Sequence, residues 1–130
     1  LLVSSLNCVV DQRVLRRVCT KCSELVPLTS ETKSSFKAVL GPIYDAIVDK
    51  WKKDGKAMMI PKVNGCDKCN KTGYFGRIAI YEVMPITEKI GKMVIEKAPA
   101  TEIQKEAMKT GMLTMKQDGY VKGLESLCLN

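Results

Sequence analysis

Two Cys-x-x-Cys turns, Cys19-Thr20-Lys21-Cys22 and Cys66-Asp67-Lys68-Cys69, constrain this chain more than any other feature, because the chain holds no histidine. Each turn points two sulfurs at one spot, and two turns complete a tetrahedral four-thiolate shell. Without histidine such a shell is all sulfur, unless a carboxylate joins it. Four protein ligands leave no open coordination position, so the site reads as structural rather than catalytic. The 43 residues from Ser23 to Gly65 separate the turns, a longer gap than in an ordinary zinc ribbon. That gap is long enough for a helical hairpin, whose folding the metal would then support. Zinc is the expected ion; a rubredoxin-like iron site and an iron–sulfur cluster are the alternatives.

Six cysteines also allow three disulfides in a secreted domain. Against that reading, four of the six sit in the paired turns, and no basic-then-apolar leader precedes a small-residue cleavage site. The other two, Cys8 and Cys128, lie in apolar stretches and read as buried thiols. No apolar run is long enough to span a membrane. The chain opens directly on apolar residues, as a domain cut from a longer chain would.

The pattern along the chain predicts an α+β fold. Leu2, Leu6, Val9, Val10, Arg13, Val14 and Arg17 recur at helical spacing, which predicts a helix over residues 1–18. An extended stretch follows the first turn as far as Pro27. Thr29 offers an N-cap for the amphipathic run Phe36, Val39, Leu40, Ile43, Tyr44, Ile47, Val48 and Trp51. Gly41-Pro42 divides that run into two helices or one kinked helix. Trp51 is expected to cover the core of the metal domain. Residues 57–63 read as extended, and 76–83 alternate as a strand with Ile78, Ile80 and Glu82 on one side. Pro85 ends that strand. Thr87 caps a helix reaching about Lys97, with Ile90, Met93 and Val94 inward. Pro99-Ala100-Thr101 starts another, with Ile103, Ala107 and Met108 inward, and Gly111 stops it. A last helix is expected from about Thr114 to Leu127.

The formal net charge of +7 favours an acidic partner, although the cations are spread along the chain and a solvated surface explains them equally well. Lys21 and Lys68 precede the second cysteine of each turn. Their ammonium groups suit the net −2 of a four-thiolate zinc site; exposed turn residues are the plainer reading. Arg13, Arg16 and Arg17 lead into the first turn, and Arg77 follows the second. One metal clamping both segments would bring these arginines close enough for phosphate or carboxylate recognition or intersubunit contact. Gly55-Lys56 and Gly91-Lys92 lack the remaining residues of a phosphate-binding loop. A histidine dyad is impossible. Glu82 is the one carboxylate that looks placed, and a helix-end contact or salt bridge explains it better than a general base. No catalytic residue is assigned.

In order, the chain carries Gln12-Arg13-Val14-Leu15-Arg16-Arg17-Val18-Cys19-x-x-Cys22, then Gly65-Cys66-x-x-Cys69, then Thr72-Gly73-Tyr74-x-Gly76-Arg77-Ile78-Ala79-Ile80-Tyr81-Glu82, and finally Gly111-Met112-x-Thr114-Met115-x-x-Asp118-Gly119. This series resembles the C-terminal part of the assembly ATPases of type II secretion and type IV pilus biogenesis. The resemblance implies that Cys19, Cys22, Cys66 and Cys69 are zinc ligands. It implies a small tetracysteine domain (19–73) with a helical hairpin, inserted between the end of a RecA-like motor core (1–18) and a returning strand with a three-helix segment (74–130). It also implies a cytoplasmic hexamer at the inner membrane. There the parent would meet a platform protein and associated assembly proteins, with ATP and Mg²⁺ bound only in the full-length parent. The motor's nucleotide motifs lie upstream in the family, so this stretch is not expected to hydrolyse ATP alone. No direct nucleic-acid contact is expected on this reading. The alternative is a zinc-stabilised nucleic-acid-binding module, which needs a basic face with stacking aromatics. A chaperone-type zinc knuckle requires more Cys-x-x-Cys units than the chain holds.

Overall fold

The computed structural model describes residues 2–125. The fold is α+β. In chain order the elements are α1 (Leu2–Ser5), β1 (Cys8–Val18), β2 (Ser23–Pro27), α2 (Ser30–Leu40), α3 (Pro42–Lys53), β3 (Met59–Val63), a 3₁₀ turn (Asp67–Cys69), β4 (Tyr74–Pro85), α4 (Glu88–Ile95), α5 (Ala100–Lys109) and α6 (Met115–Leu124). Two two-stranded sheets form, β1 with β4 and β2 with β3. The described residues divide into two compact units. One comprises residues up to Arg13 together with Tyr81–Met115, the other Val14–Ile80 together with the chain from Lys116.

The helix expected over residues 1–18 is overturned. Only the single turn α1 is helical, and Cys8–Val18 is an eleven-residue strand. The apolar residues keep the helical spacing but lie on a strand, so spacing alone did not decide. The strand is rich in Val9, Val10, Val14 and Val18, whose β-branched side chains suit a pleated surface, and β4 supplies its ladder partner. Cys8, expected to be buried, is exposed on this strand. Cys128 and the end of the last expected helix lie outside the described residues.

In the unit that carries the cysteines, β2 and β3 pair antiparallel, from Ser23 opposite Val63 to Pro27 opposite Met59. The helical hairpin fills the gap between these strands, as the amphipathic run predicts. The Thr29 hydroxyl accepts from the Thr32 N–H at 3.3 Å and caps α2. The chain breaks at Gly41, and Pro42 opens α3 at a first-turn position. Leu28, Leu40, Tyr44 and Leu124 form the buried core, with Phe36, Val48 and Trp51 packed against it. Leu40 is fully buried, which stabilises the unit by about 1.5–3 kcal/mol relative to an exposed leucine. The α6 helix closes the same core. Its Tyr120 ring meets Phe36 edge-on at 4.9 Å, and its Gln117 side-chain amide donates to the Val39 carbonyl at 3.1 Å. Lys122 pairs with Asp118 at 2.7 Å and donates to the Ala79 carbonyl on β4 at 2.8 Å.

The other unit is built on Ile90, Ala107 and Met112, with Met84, Ile86 and Ile103 packed around them. Thr87 caps α4 by accepting from the Ile90 N–H at 3.3 Å. Two expected core positions turn outward: Val94 and Met108 are each 40% exposed. On α5 the inward stripe runs through Ile103 and Ala107, one turn apart, and Met108 sits about 100° off it. Met112, beyond the end of α5, takes the core place instead. Glu82 accepts from the Met115 N–H at 2.9 Å, so this carboxylate caps α6 as a helix-end contact.

Candidate metal centre

The four cysteines of the two turns converge. Their sulfur atoms all lie within 4.8 Å of one another. Cys19 to Cys66 is 3.9 Å, Cys22 to Cys69 3.8 Å and Cys66 to Cys69 3.7 Å. Thiolate–zinc bonds of about 2.3 Å in a tetrahedron require sulfur–sulfur edges of about 3.8 Å. A disulfide requires about 2.05 Å. The donor set and its spacing therefore fit a tetrahedral four-thiolate metal ion, held by Cys19, Cys22, Cys66 and Cys69. Cys19 and Cys69 are buried, while Cys22 and Cys66 are partly exposed.

Local sequence builds each turn. After Cys19 the chain folds back so that the N–H groups of Cys22 and Ser23 both point to the Cys19 carbonyl, at 3.4 and 3.1 Å. In the second turn Asp67–Cys69 is a 3₁₀ turn, and Asn70 and Lys71 both take left-handed backbone, with φ of 52° and 63°. That reversal brings the Lys71 N–H to the Cys66 carbonyl at 2.8 Å. Thr72 closes the turn, its hydroxyl donating to the Cys69 carbonyl at 2.6 Å. Gly73 follows at φ 79°, where an added Cβ would stand 2.6 Å from the Val63 Cβ. The Cys19 N–H donates to the Gly73 carbonyl at 2.9 Å, joining the two turns through backbone as well as through sulfur.

Two of the four thiols are displaced in opposite directions. Burial pushes the Cys22 thiol up to about 11, and its contacts with Cys19 and Cys69 push the same way. Burial also raises Cys69, but there the backbone N–H groups of Cys66 and Gly73, each 3.2 Å from its sulfur, outweigh it and hold the thiol down at about 6. A divalent ion held by the four sulfurs would favour their thiolate forms. The two N–H donors aimed at the sulfur of Cys69 would then offset part of the residual negative charge of a four-thiolate centre.

The expected surrounding cations are less concentrated than the four sulfurs. Lys21 is exposed. Lys68 lies with its ammonium 5.0 Å from the centre of the Phe75 ring, and Arg16 lies 4.3 Å over the Tyr74 ring. Arg13 and Arg17 fall on the face of β1 opposite Arg16, by the alternation of a strand, and Arg77 is exposed on β4. The turn-forming residues Thr72 and Gly73 were legible as turn punctuation. The contact of Lys122 with Asp118 and the Ala79 carbonyl was not, because it depends on where α6 packs. Among the described residues no helix is long and apolar enough to cross a membrane.

Known proteins share this sequence pattern. A family profile described as "Type II/IV secretion system protein" matches residues 1–128. The type IV pilus assembly ATPase PilB of Myxococcus xanthus is 36% identical over 125 residues, covering 96% of this chain and 20% of that protein. The PilB of Thermus thermophilus is 32% identical over 119 residues, covering 92% of this chain and 12% of that protein. The type II secretion system protein HxcR of Pseudomonas aeruginosa is 29% identical over 119 residues, covering 92% of this chain and 19% of that protein. The chain spans a fifth or less of the length of these relatives.

Proposed function

Because this chain belongs to the type II/IV secretion system protein family, we propose that it serves as the C-terminal portion of a hexameric assembly ATPase. Its task there is mechanical and structural rather than catalytic. Zinc on Cys19, Cys22, Cys66 and Cys69 clamps residues 19–73 as an insert. Residues 1–18, with β1 as their main element, form the end of a RecA-like core, and residues 74–130 return to that core and continue as a helical segment. The parent motor binds ATP and Mg²⁺, works in the cytoplasm against the inner membrane, and meets a platform protein and its cytoplasmic partners there. Arg13, Arg16, Arg17 and Arg77, with Lys21 and Lys68, are the cations this reading offers for subunit contacts.

The observation that carries the reading is the join between sequence and geometry. A family match runs through nearly the whole chain, and the four cysteines inside it meet at tetrahedral spacing. A closed thiolate shell supplies no site for a substrate or an attacking water, which is why the proposed role is a clamp. The test is to read the encoding frame upstream of Leu1 and assay its product. A Gly-x-x-x-x-Gly-Lys-Ser/Thr loop upstream, and ATP hydrolysis that needs it, support the motor. A start codon close to Leu1 with no such loop removes the motor reading.

A second reading, a zinc-stabilised nucleic-acid-binding module, draws on Phe75, which is 53% exposed beside Lys68. Binding of single-stranded DNA or RNA that weakens steeply with salt would favour it. A flat titration at physiological ionic strength would remove it.

A further inference from the structure

A cleft of about 470 Å³ opens in the cysteine-bearing unit, between the end of β2, the start of α2, the end of α3 and the segment before β3. That volume falls within the range of about 300–1,000 Å³ in which proteins hold ligands. Its floor is apolar, with Leu28, Val48 and Met58 among the lining residues, and its walls carry Lys33, Lys52 and Lys56. Among the described residues no carboxylate lines it. Among the described residues, none of these three lysines forms an ion pair, whereas Lys71, Lys89, Lys92, Lys109 and Lys122 each do. The α3 C-terminus does not consume them either. Its carbonyls at Lys50 and Lys52 already accept from the Asp54 and Gly55 N–H groups.

We propose that this cleft is a docking site for an acidic, amphipathic peptide segment of a partner protein. An apolar side chain of the segment enters the floor, and its carboxylates meet Lys33, Lys52 and Lys56. The charge complement decides the occupant's sign. Its form follows from the layout: the cations stand on α2, on α3 and on the loop before β3, which asks for several carboxylates, and a peptide carries them where a single lipid headgroup does not. The concave floor also suits an inserted side chain better than a flat membrane surface. The inference stands apart from the assembly-motor reading, because residues 27–58 alone build the cleft.

The metal site reaches this cleft through the β2–β3 ribbon. The ribbon starts beside the cysteines at Ser23 and Val63, and ends at Pro27, which lines the cleft, opposite Met59, the neighbour of the lining residue Met58. Four steps of about 3.4 Å separate the two ends.

The experiment is an unbiased selection. Random 12-residue peptides displayed on phage are panned against the immobilised, metal-loaded chain. The best peptide is then made with a fluorescent label and titrated by anisotropy. The expected enriched sequences combine two or more carboxylates with an apolar residue. The double charge reversal Lys52→Glu with Lys56→Glu should weaken binding by roughly tenfold or more, as should raised salt. Reversal of the exposed Lys105, which does not line the cleft, to glutamate should leave binding unchanged, and unchanged melting temperatures confirm that each variant is folded. Three results overturn the proposal: no enrichment, enriched peptides without carboxylates, or an affinity indifferent to the double reversal. Failed enrichment together with phosphatidylglycerol vesicle binding that the double reversal abolishes would assign the cleft to a membrane surface instead.

Discussion

The backbone N–H of Cys19 donates to the carbonyl of Gly73 across 2.9 Å. Through this bond the residue that opens the first metal turn is tied to the residue that follows the second. Strands β1 and β2 leave the first turn on either side, and β3 and β4 flank the second, so four strand ends meet at the sulfur cluster. A metal held by the four sulfurs would therefore tie together both ends of the segment inserted between Cys22 and Cys66.

Cys66→Ser should lower the metal content from one equivalent per chain to a small fraction, measured by atomic emission on the purified protein. Structural zinc contributes apparent binding energies of about 10–16 kcal/mol in small zinc domains. A domain of this size is stable by only about 5–15 kcal/mol. The insert should consequently unfold, with loss of the near-ultraviolet signal of Trp51 and of the α6 packing on the same core, while α4 and α5 of the other unit remain able to form.

Gly73→Ala should destabilise the protein by about 2–5 kcal/mol in urea titration, because it combines left-handed backbone with a collision against Val63. Gly76→Ala is the control. Gly76 has a similar φ of 84°, but nothing lies within 4 Å of an added Cβ, so about 1–2 kcal/mol is expected. Equal losses at the two positions would mean that Val63 yields freely.

Glu82→Ala should cost about 1–2 kcal/mol, by leaving the Met115 N–H at the start of α6 without its carboxylate acceptor. Glu82→Gln keeps an acceptor oxygen and should cost less. Chemical denaturation of both variants orders them.

Glu106 gives a pH dependence of known sign. Its hydrogen bond with Lys89 is the main cause holding its carboxyl below the usual carboxylate range, with Lys109 adding to it against an opposing effect of burial. A depressed carboxyl binds fewer protons folded than unfolded. Its contribution is thus present above the unfolded value of 4.5 and is lost as the pH falls through the lower folded value. Melting temperatures taken from pH 6 downward should fall less steeply below about pH 4.5 in Glu106→Gln than in the unaltered chain.

The cysteine turns were legible in the sequence because ligand chemistry is written locally, in residue type and a spacing of three. So was the break between α2 and α3, since Gly41-Pro42 imposes it through backbone geometry alone. Strand β1 was not legible. Val9, Val10, Val14 and their neighbours satisfy a helical period, and only pairing with β4, more than sixty positions away, decides for a strand. Met108 and Met112 show the same limit at a helix end. Both are apolar and close in phase, and it takes the packing of Ile90 and Ala107 to select Met112 for the core. The role of Glu82 was half visible: its strand position was readable, while its partner Met115 came from the fold.

X-ray absorption at the metal edge of the purified chain tests the central claim most directly. The account predicts one zinc per chain with four sulfur neighbours at about 2.3 Å and no nitrogen or oxygen in the shell. A shell containing oxygen or nitrogen, or a chain that folds without any metal, would contradict it.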